Sequence, residues 1–295
     1  MERNKVVKYI CYNWMPVVAD HVMDANYKHY YDAGVIPMHD KKPADFNPYS
    51  VRDGDTIFVK TDFIVNGDFG RMILPKIFSK FNLITGISSY KLGRAGGDIY
   101  KEVLNHPALI KWYCTNPPDE ENEKIVPLPI GFEEPDRVGG NQDMLQEMQD
   151  NRTPREEKKD KILLPYHDMS TNLERQSYYD KLKKLPFVET QEEKLPPQDY
   201  LKLLDKYKFV ICLEGRGPDV HRNYEAMLVG SIPINIRNSI EKVFKHHYAT
   251  GVFVDSWQEL DEKFYKNLLD KEFNINQNDQ FLLLDNYLSL VRGNQ

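Results

Sequence analysis

The chain is poor in the residues and runs that would place it in several large classes. Three cysteines in 295 residues, Cys11, Cys114 and Cys212, lie far apart inside apolar stretches. That is too few for a disulfide framework, and no Cys/His spacing suggests zinc. Each reads as a small buried hydrophobe. No run approaches the ~18 apolar residues of a membrane-spanning helix. The opening MERNKVVKYICYNWMP is broken by Lys and Tyr and is too short in its apolar part for a signal peptide, so the cytosol is the expected compartment. No Lys/Arg run stands clear of neighbouring acids, and the formal net charge is −6, so duplex nucleic acid is not an expected partner. No G-x-G-x-x-G follows a first strand, which speaks against a dinucleotide-dependent dehydrogenase. Asp53-Gly54-Asp55 has the spacing of a metal-binding pair but leads into a strand, where it reads as a turn.

What is present has the rhythm of an α/β protein. Short apolar runs predict strands at 5–13, 56–60, 82–87, 109–114 and 125–130, then at 161–166, 186–190, 208–213, 231–236 and 251–254. Amphipathic stretches predict helices near 17–32, 69–80, 98–105, 174–185, 198–206, 220–229, 239–246, 256–270 and 278–292. Alternation of this kind gives parallel sheets covered on both faces. The length suits two units of roughly 120–160 residues. The polar stretch 133–160 reads as their connection, which predicts one α/β domain over 1–150 and another over 156–275, with a C-terminal helix, 276–295, folding back on the first.

The most informative stretch is FVICLEGRGPDVHRNYEAMLVGSIPINI, residues 209–236. A buried strand runs into a glycine-rich loop, a helix follows, and Gly230 stops it. Loops at the carboxyl ends of parallel strands are where open α/β sheets bind ligands. Gly215 and Gly217 allow backbone N–H groups to approach a phosphate. The helix N-terminus adds partial positive charge, and Arg216 and Arg222 supply full charges with forked donors. Glu225 stands one turn from Arg222 on the same face, suited to accept from ribose hydroxyls. His221 opens that helix, and Asp219 reads as its N-cap. Upstream, Ser170 and Thr171 precede a helix carrying Arg175, which offers a second set of hydroxyl and cationic contacts.

This stretch resembles the donor-binding core of exostosin-like glycosyltransferases, through Arg222, Glu225-Ala226, Gly230 and Ile232-Pro233. The usual Pro-Arg-Gly turn is replaced by Glu214-Gly215-Arg216-Gly217, which is similar to fucosyltransferases that carry a Glu there. The compact form also resembles glycosyltransferases of large DNA viruses of algae, including a β-xylosyltransferase. The resemblance implies a GT-B architecture, with two Rossmann-like domains facing each other across a cleft. It implies a UDP-sugar donor, xylose among the sugars, and a glycan or glycoprotein acceptor. It implies no metal cofactor, because arginines and a helix end neutralise the leaving diphosphate, and a host-cytoplasmic setting if the chain is viral.

Inverting transfer needs a base for the acceptor hydroxyl. Lys60, Thr61 and Asp62 emerge at the carboxyl end of TIFVK, and Asp62 is the first candidate, followed by Asp68 and by His21 on the helix expected at 17–32. The loop 86–97 offers Tyr90 and Arg94 to an acceptor sugar. A retaining transferase on the same architecture and a non-catalytic nucleotide- or carbohydrate-binding module are the alternatives.

Overall fold

The computed structural model describes residues 7–23 and 46–293. The parts of the expected elements at 5–6, 24–32 and 294–295 lie outside the described residues.

Two parallel five-stranded sheets organise the chain. The first runs in sequence order: β1 (His21–Met23), β2 (Thr56–Lys60), β3 (Phe81–Gly86), β4 (Leu109–Thr115) and β5 (Ile125–Leu128). The second comprises β6 (Lys159–Leu164), β7 (Val188–Thr190), β8 (Tyr207–Ile211), β9 (Ile232–Ile236) and β10 (Val252–Val254), in the order β10-β9-β8-β6-β7. Every ladder is parallel, so Ile57 lies opposite Leu83, Ile162 opposite Phe209 and Val210 opposite Pro233.

The strand sequences are apolar throughout because both faces are covered. In β2, Phe58 faces a large central cluster while Ile57 and Val59 face another on the opposite side. In the second sheet Leu163 and Val210 join that same central cluster, and Ile162, Leu164, Phe209 and Ile211 face away into a third. One apolar layer therefore draws side chains from both sheets. Truncating any of these fully buried residues to Ala would cost about 2–5 kcal/mol.

Three expectations need correction. Among the described residues of the helix expected at 17–32, only the end of helix Met15–Val18 is helical, and His21–Met23 is strand β1. Residues 5–13 form no regular strand where described; Tyr9 and Cys11 make isolated bridges to Leu283 and Phe132. The stretch 133–160 is not all linker. Asn141 caps a helix, Gln142–Asp150, whose Leu145 and Met148 are buried. Its apolar stripe is too narrow to stand out in so polar a sequence, and buried Gln142 Oε1 instead accepts from the backbone N–H groups of Lys8 and Tyr9.

The C-terminal segment breaks into two helices, Ile275–Phe281 and Leu284–Arg292. It returns to residues of the first half: Ile10 N–H donates to Leu282 O, Leu284 N–H to Lys8 O, and the rings of Trp14 and Tyr287 meet at 6.1 Å. No helix of the described residues is long and apolar enough to cross a membrane.

Candidate functional site

The carboxyl ends of both sheets open on one cavity of about 530 Å³, a size suited to a small organic ligand. From the first sheet it takes Ser88 and Ser89 after β3, Asn116 after β4 and Ile130 after β5. From the second it takes Tyr166 and Asp168 after β6, Lys194 and Leu195 after β7, and the loop 215–220 after β8. The polarity of the parallel strands dictates this gathering, since each strand delivers its following loop to the same end.

The loop after β8 is braced from beneath. Arg175, in the first turn of helix Glu174–Leu182, is buried. Its Nε donates to Glu214 O at 2.6 Å, Nη2 to Leu213 O at 3.0 Å, and Nη1 to Asp168 O and Thr171 Oγ1. Four of five N–H directions are thus engaged by the protein. Arg175 borders the cavity, but its main task is to tie the loop 168–171 to the loop 213–215. Burial and the nearby Arg222 charge pull its guanidinium down to about 10, still protonated at neutral pH. Beside it, buried His167 donates from Nδ1 to Pro165 O at 2.7 Å and accepts the Leu213 N–H at Nε2. Burial, then the charges of Arg222 and Arg175, hold this imidazole well below its usual range, so a neutral ring separates two cations.

Gly217 is required by contact. A Cβ there would stand 2.5 Å from Ser89 O and 3.1 Å from Asn116 Nδ2, so only glycine lets the second-sheet loop meet the first-sheet loops. Arg216 lines the same cavity and projects into solvent.

Helix His221–Leu228 presents three of its residues to the cavity: His221, Arg222 and Glu225. Gly230, at φ +75°, terminates it in the left-handed conformation expected of a glycine stop. Arg222 is held by Nε to Tyr200 OH at 2.5 Å and by Nη2 to Tyr166 O at 2.8 Å, and Nη1 has no hydrogen-bond partner among the described residues. Burial raises the Glu225 carboxyl, and the Arg222 charge opposes that rise. His221 donates from Nδ1 to Gly131 O at 2.7 Å, which fixes the tautomer and leaves Nε2 as the lone-pair nitrogen of the neutral ring.

Asp219 is not the N-cap; Val220 holds that position with no side-chain cap bond. The Asp219 carboxylate is buried and accepts from Ile130 N–H, Tyr224 OH and Asn223 Nδ2, while its own N–H donates to Asn116 Oδ1. It fastens the helix to the ends of β4 and β5. Glu214 also departs from expectation: it is not on the cavity wall but bonds Asn238 Nδ2 and lies 3.9 Å from Arg94.

The remaining candidates scatter. Thr171 borders the cavity; Ser170 bonds Asp168 and borders an adjoining hollow instead. His21 pairs with Asp55 at 2.8 Å, and Asp68 accepts from Asn66 Nδ2. Neither borders the cavity, nor do Tyr90 and Arg94, which are both exposed. Asp62 sits in the first turn of helix Thr61–Val65, one strand outside the cavity wall. Its Oδ1 is 4.0 Å from Lys60, and its Oδ2 is buried with no hydrogen-bond partner among the described residues. Tyr12, Ser88, Ser89, Asn116, Glu133, Tyr166, Lys194 and Tyr200 also line the wall and carry no motif. Ser88 and Ser89 directly follow the strand predicted at 82–87, and that position is the signal available for them.

Among the described residues no group of three or more His, Cys, Asp or Glu side chains is arranged to hold a metal ion. No protein-family model matches the chain, and no curated protein matches it in sequence.

Proposed function

We propose that this chain is a glycosyltransferase of GT-B type, with an acceptor-binding unit over 1–150 and a donor-binding unit over 156–275. The cavity is the donor site for a nucleotide-diphosphate sugar, UDP-linked if the exostosin resemblance of residues 209–236 holds. One observation carries the reading: Arg222, Glu225 and the Gly215–Gly217 loop, gathered from that motif, share a single cavity at the carboxyl ends of both sheets. A diphosphate fits Arg222 Nη1, Arg216 and the helix N-terminus. Glu225, one turn deeper, accepts from sugar hydroxyls. Support for the leaving phosphate comes from groups already fixed by Tyr200, Tyr166 and Arg175, so little reorganisation accompanies the reaction.

For the base, the support lies with Asp62. Its side chain is 41% exposed, and one carboxylate oxygen has no hydrogen-bond partner among the described residues, so the carboxylate can accept a proton. Thr61 Oγ1 donates to Gly86 O at 3.4 Å, so Asp62 adjoins the strand whose next loop supplies Ser88 and Ser89. In the proposed step the acceptor hydroxyl oxygen attacks the anomeric carbon and its proton passes to Asp62. The bond from that carbon to the phosphate oxygen breaks, and the electron pair leaves on the diphosphate, inverting the centre.

The experiment is a thermal-shift panel of nucleotide sugars followed by a turnover assay for released nucleotide with a glycan acceptor mixture. A stabilising nucleotide sugar that turns over supports the reading. Stabilisation without turnover reduces the chain to a binding module, and no stabilisation by any nucleotide sugar refutes the donor site.

A further inference from the structure

We infer that the turns at 47–52 and 72–80 form a docking surface for an anionic phospholipid membrane. Phe78 is 82% exposed, Tyr49 65% and Met72 60%. Their exposure is built in. Leu74 and Ile77, between Met72 and Phe78, are buried in the core behind the first sheet, so the flanking side chains point outward. Pro48 opens one short 3₁₀ turn and Pro75 lies in the other, and the Asn47 side chain caps the first. The rings of Tyr49 and Phe78 stand 6.3 Å apart at 31°, side by side on the two turns. Apolar groups held out on proline-fixed turns lose little freedom on inserting among lipids.

The charge around them is mainly positive. Arg52, Lys76 and Lys80 are exposed, and no ion pair engages their side chains among the described residues. The segment from Gly70 to Lys80 contains no acid. Two carboxylates adjoin them and offset part of that charge: exposed Asp53 accepts the Lys80 backbone N–H, and Asp55 accepts the Arg52 backbone N–H while pairing with His21. This basic, aromatic face stands out on a chain whose net charge is −6. Cations flanking exposed aromatic and thioether side chains match the interface of an anionic bilayer, where the rings enter the headgroup layer and the cations meet phosphates.

The placement is compatible with an open cavity. Gly54 N–H donates to Lys80 O, which puts these turns at the amino ends of β2 and β3. The cavity lies at the opposite ends, about 17–20 Å away along strands of this length. A docked molecule therefore keeps its cavity mouth away from the lipid.

The test is co-sedimentation of the full chain with phosphatidylcholine vesicles, with and without phosphatidylserine. Binding is expected only with phosphatidylserine and is expected to disappear at ~1 M salt, where screening is nearly complete. Lys76→Gln with Lys80→Gln should weaken it roughly fivefold per residue, about 25-fold together. Phe78→Ser should weaken it about tenfold or more. Both variants should keep the wild-type melting temperature to within a degree or two, because Phe78, Lys76 and Lys80 are exposed. No binding to anionic vesicles at low salt overturns the inference, as does binding that both variants leave unchanged. Two further outcomes overturn it: a concentration-dependent dimer in solution abolished by Phe78→Ser, which would make the face a contact between copies, and tighter retention by RNA than by vesicles.

Discussion

The Asp219 carboxylate accepts the backbone N–H of Ile130 at 3.1 Å, joining helix His221–Leu228 to the end of β5 across 89 residues of sequence. The same oxygen accepts from Tyr224 OH, and Ile130 N–H also reaches Tyr224 OH at 3.0 Å. This triangle is where the loops of the two sheets are held together beneath the cavity.

Its pH dependence has a definite sign. Burial raises the Asp219 carboxyl from 3.8 to about 6, against the pull of Tyr224, Ile130 and Asn223. With the folded value raised, the contribution to stability is fully present below about pH 4, where both states are protonated. It is lost as pH rises toward about 6, because the unfolded chain ionises first. The difference corresponds to about 3 kcal/mol. Urea unfolding of wild type and Asp219→Asn across that range should show the gap between them changing by this order. A gap that stays constant with pH would mean that Asp219 does not titrate between these limits.

Arg222→Ala should lower nucleotide-diphosphate affinity about 100-fold, the weight of one or two hydrogen bonds to a charged group. Arg222→Lys should not restore it, since a single ammonium cannot satisfy Tyr200 OH and Tyr166 O while also facing a ligand. Calorimetric titration with UDP checks both variants.

Asp62→Asn should leave nucleotide affinity within about twofold and lower turnover by about 10²–10⁴-fold, the usual weight of a general base. Single-turnover kinetics with saturating donor measure it directly. Full activity in this variant would remove Asp62 from the role and leave the donor site standing.

Gly217→Ala should destabilise by about 1–3 kcal/mol, because the new methyl collides with the Ser89 carbonyl and neither loop can retreat without breaking the Asn116–Asp219 contact. Chemical denaturation measures the cost, and ligand affinity should fall with it.

Lys158 and Asp205 form a buried pair at 2.6 Å, with Asp205 also accepting from Thr153 N–H and Oγ1. Lys158→Met alone should cost about 3–5 kcal/mol, because it strips a buried carboxylate of its counter-charge. Adding Asp205→Leu should recover part of that loss, and a double-mutant cycle reads the coupling.

How much of this was legible in the sequence depended on distance along the chain. The helix bearing Arg222 and Glu225, and its stop at Gly230, follow from neighbours within a few residues, and the structure has them there. Strands β2 to β6 and β8 to β10 were legible for the same reason, as short apolar runs bounded by turn formers. β1 was not: three half-buried residues at a sheet edge have no period to read. The N-cap reading of Asp219 failed, and the bracing bonds of cavity-lining Arg175 went unforeseen, because their partners are remote or are main-chain carbonyls. Asn116 and Ile130 lie 103 and 89 residues from Asp219, and no side-chain pattern announces that Leu213 and Glu214 will turn their carbonyls toward Arg175. The polar wall after β3 and β4 was legible only as a location, since Ser88, Ser89 and Asn116 are common loop residues.

The four-fold anchoring of Arg175 bears on how quickly a ligand can come and go. A guanidinium already gripping four oxygens leaves the loop after β8 little slack to collapse when empty or to fold over an arriving molecule. Association should then run at the pace of diffusional encounter, and the heat-capacity change on binding should reflect the ligand's own buried surface rather than the ordering of a mobile strap.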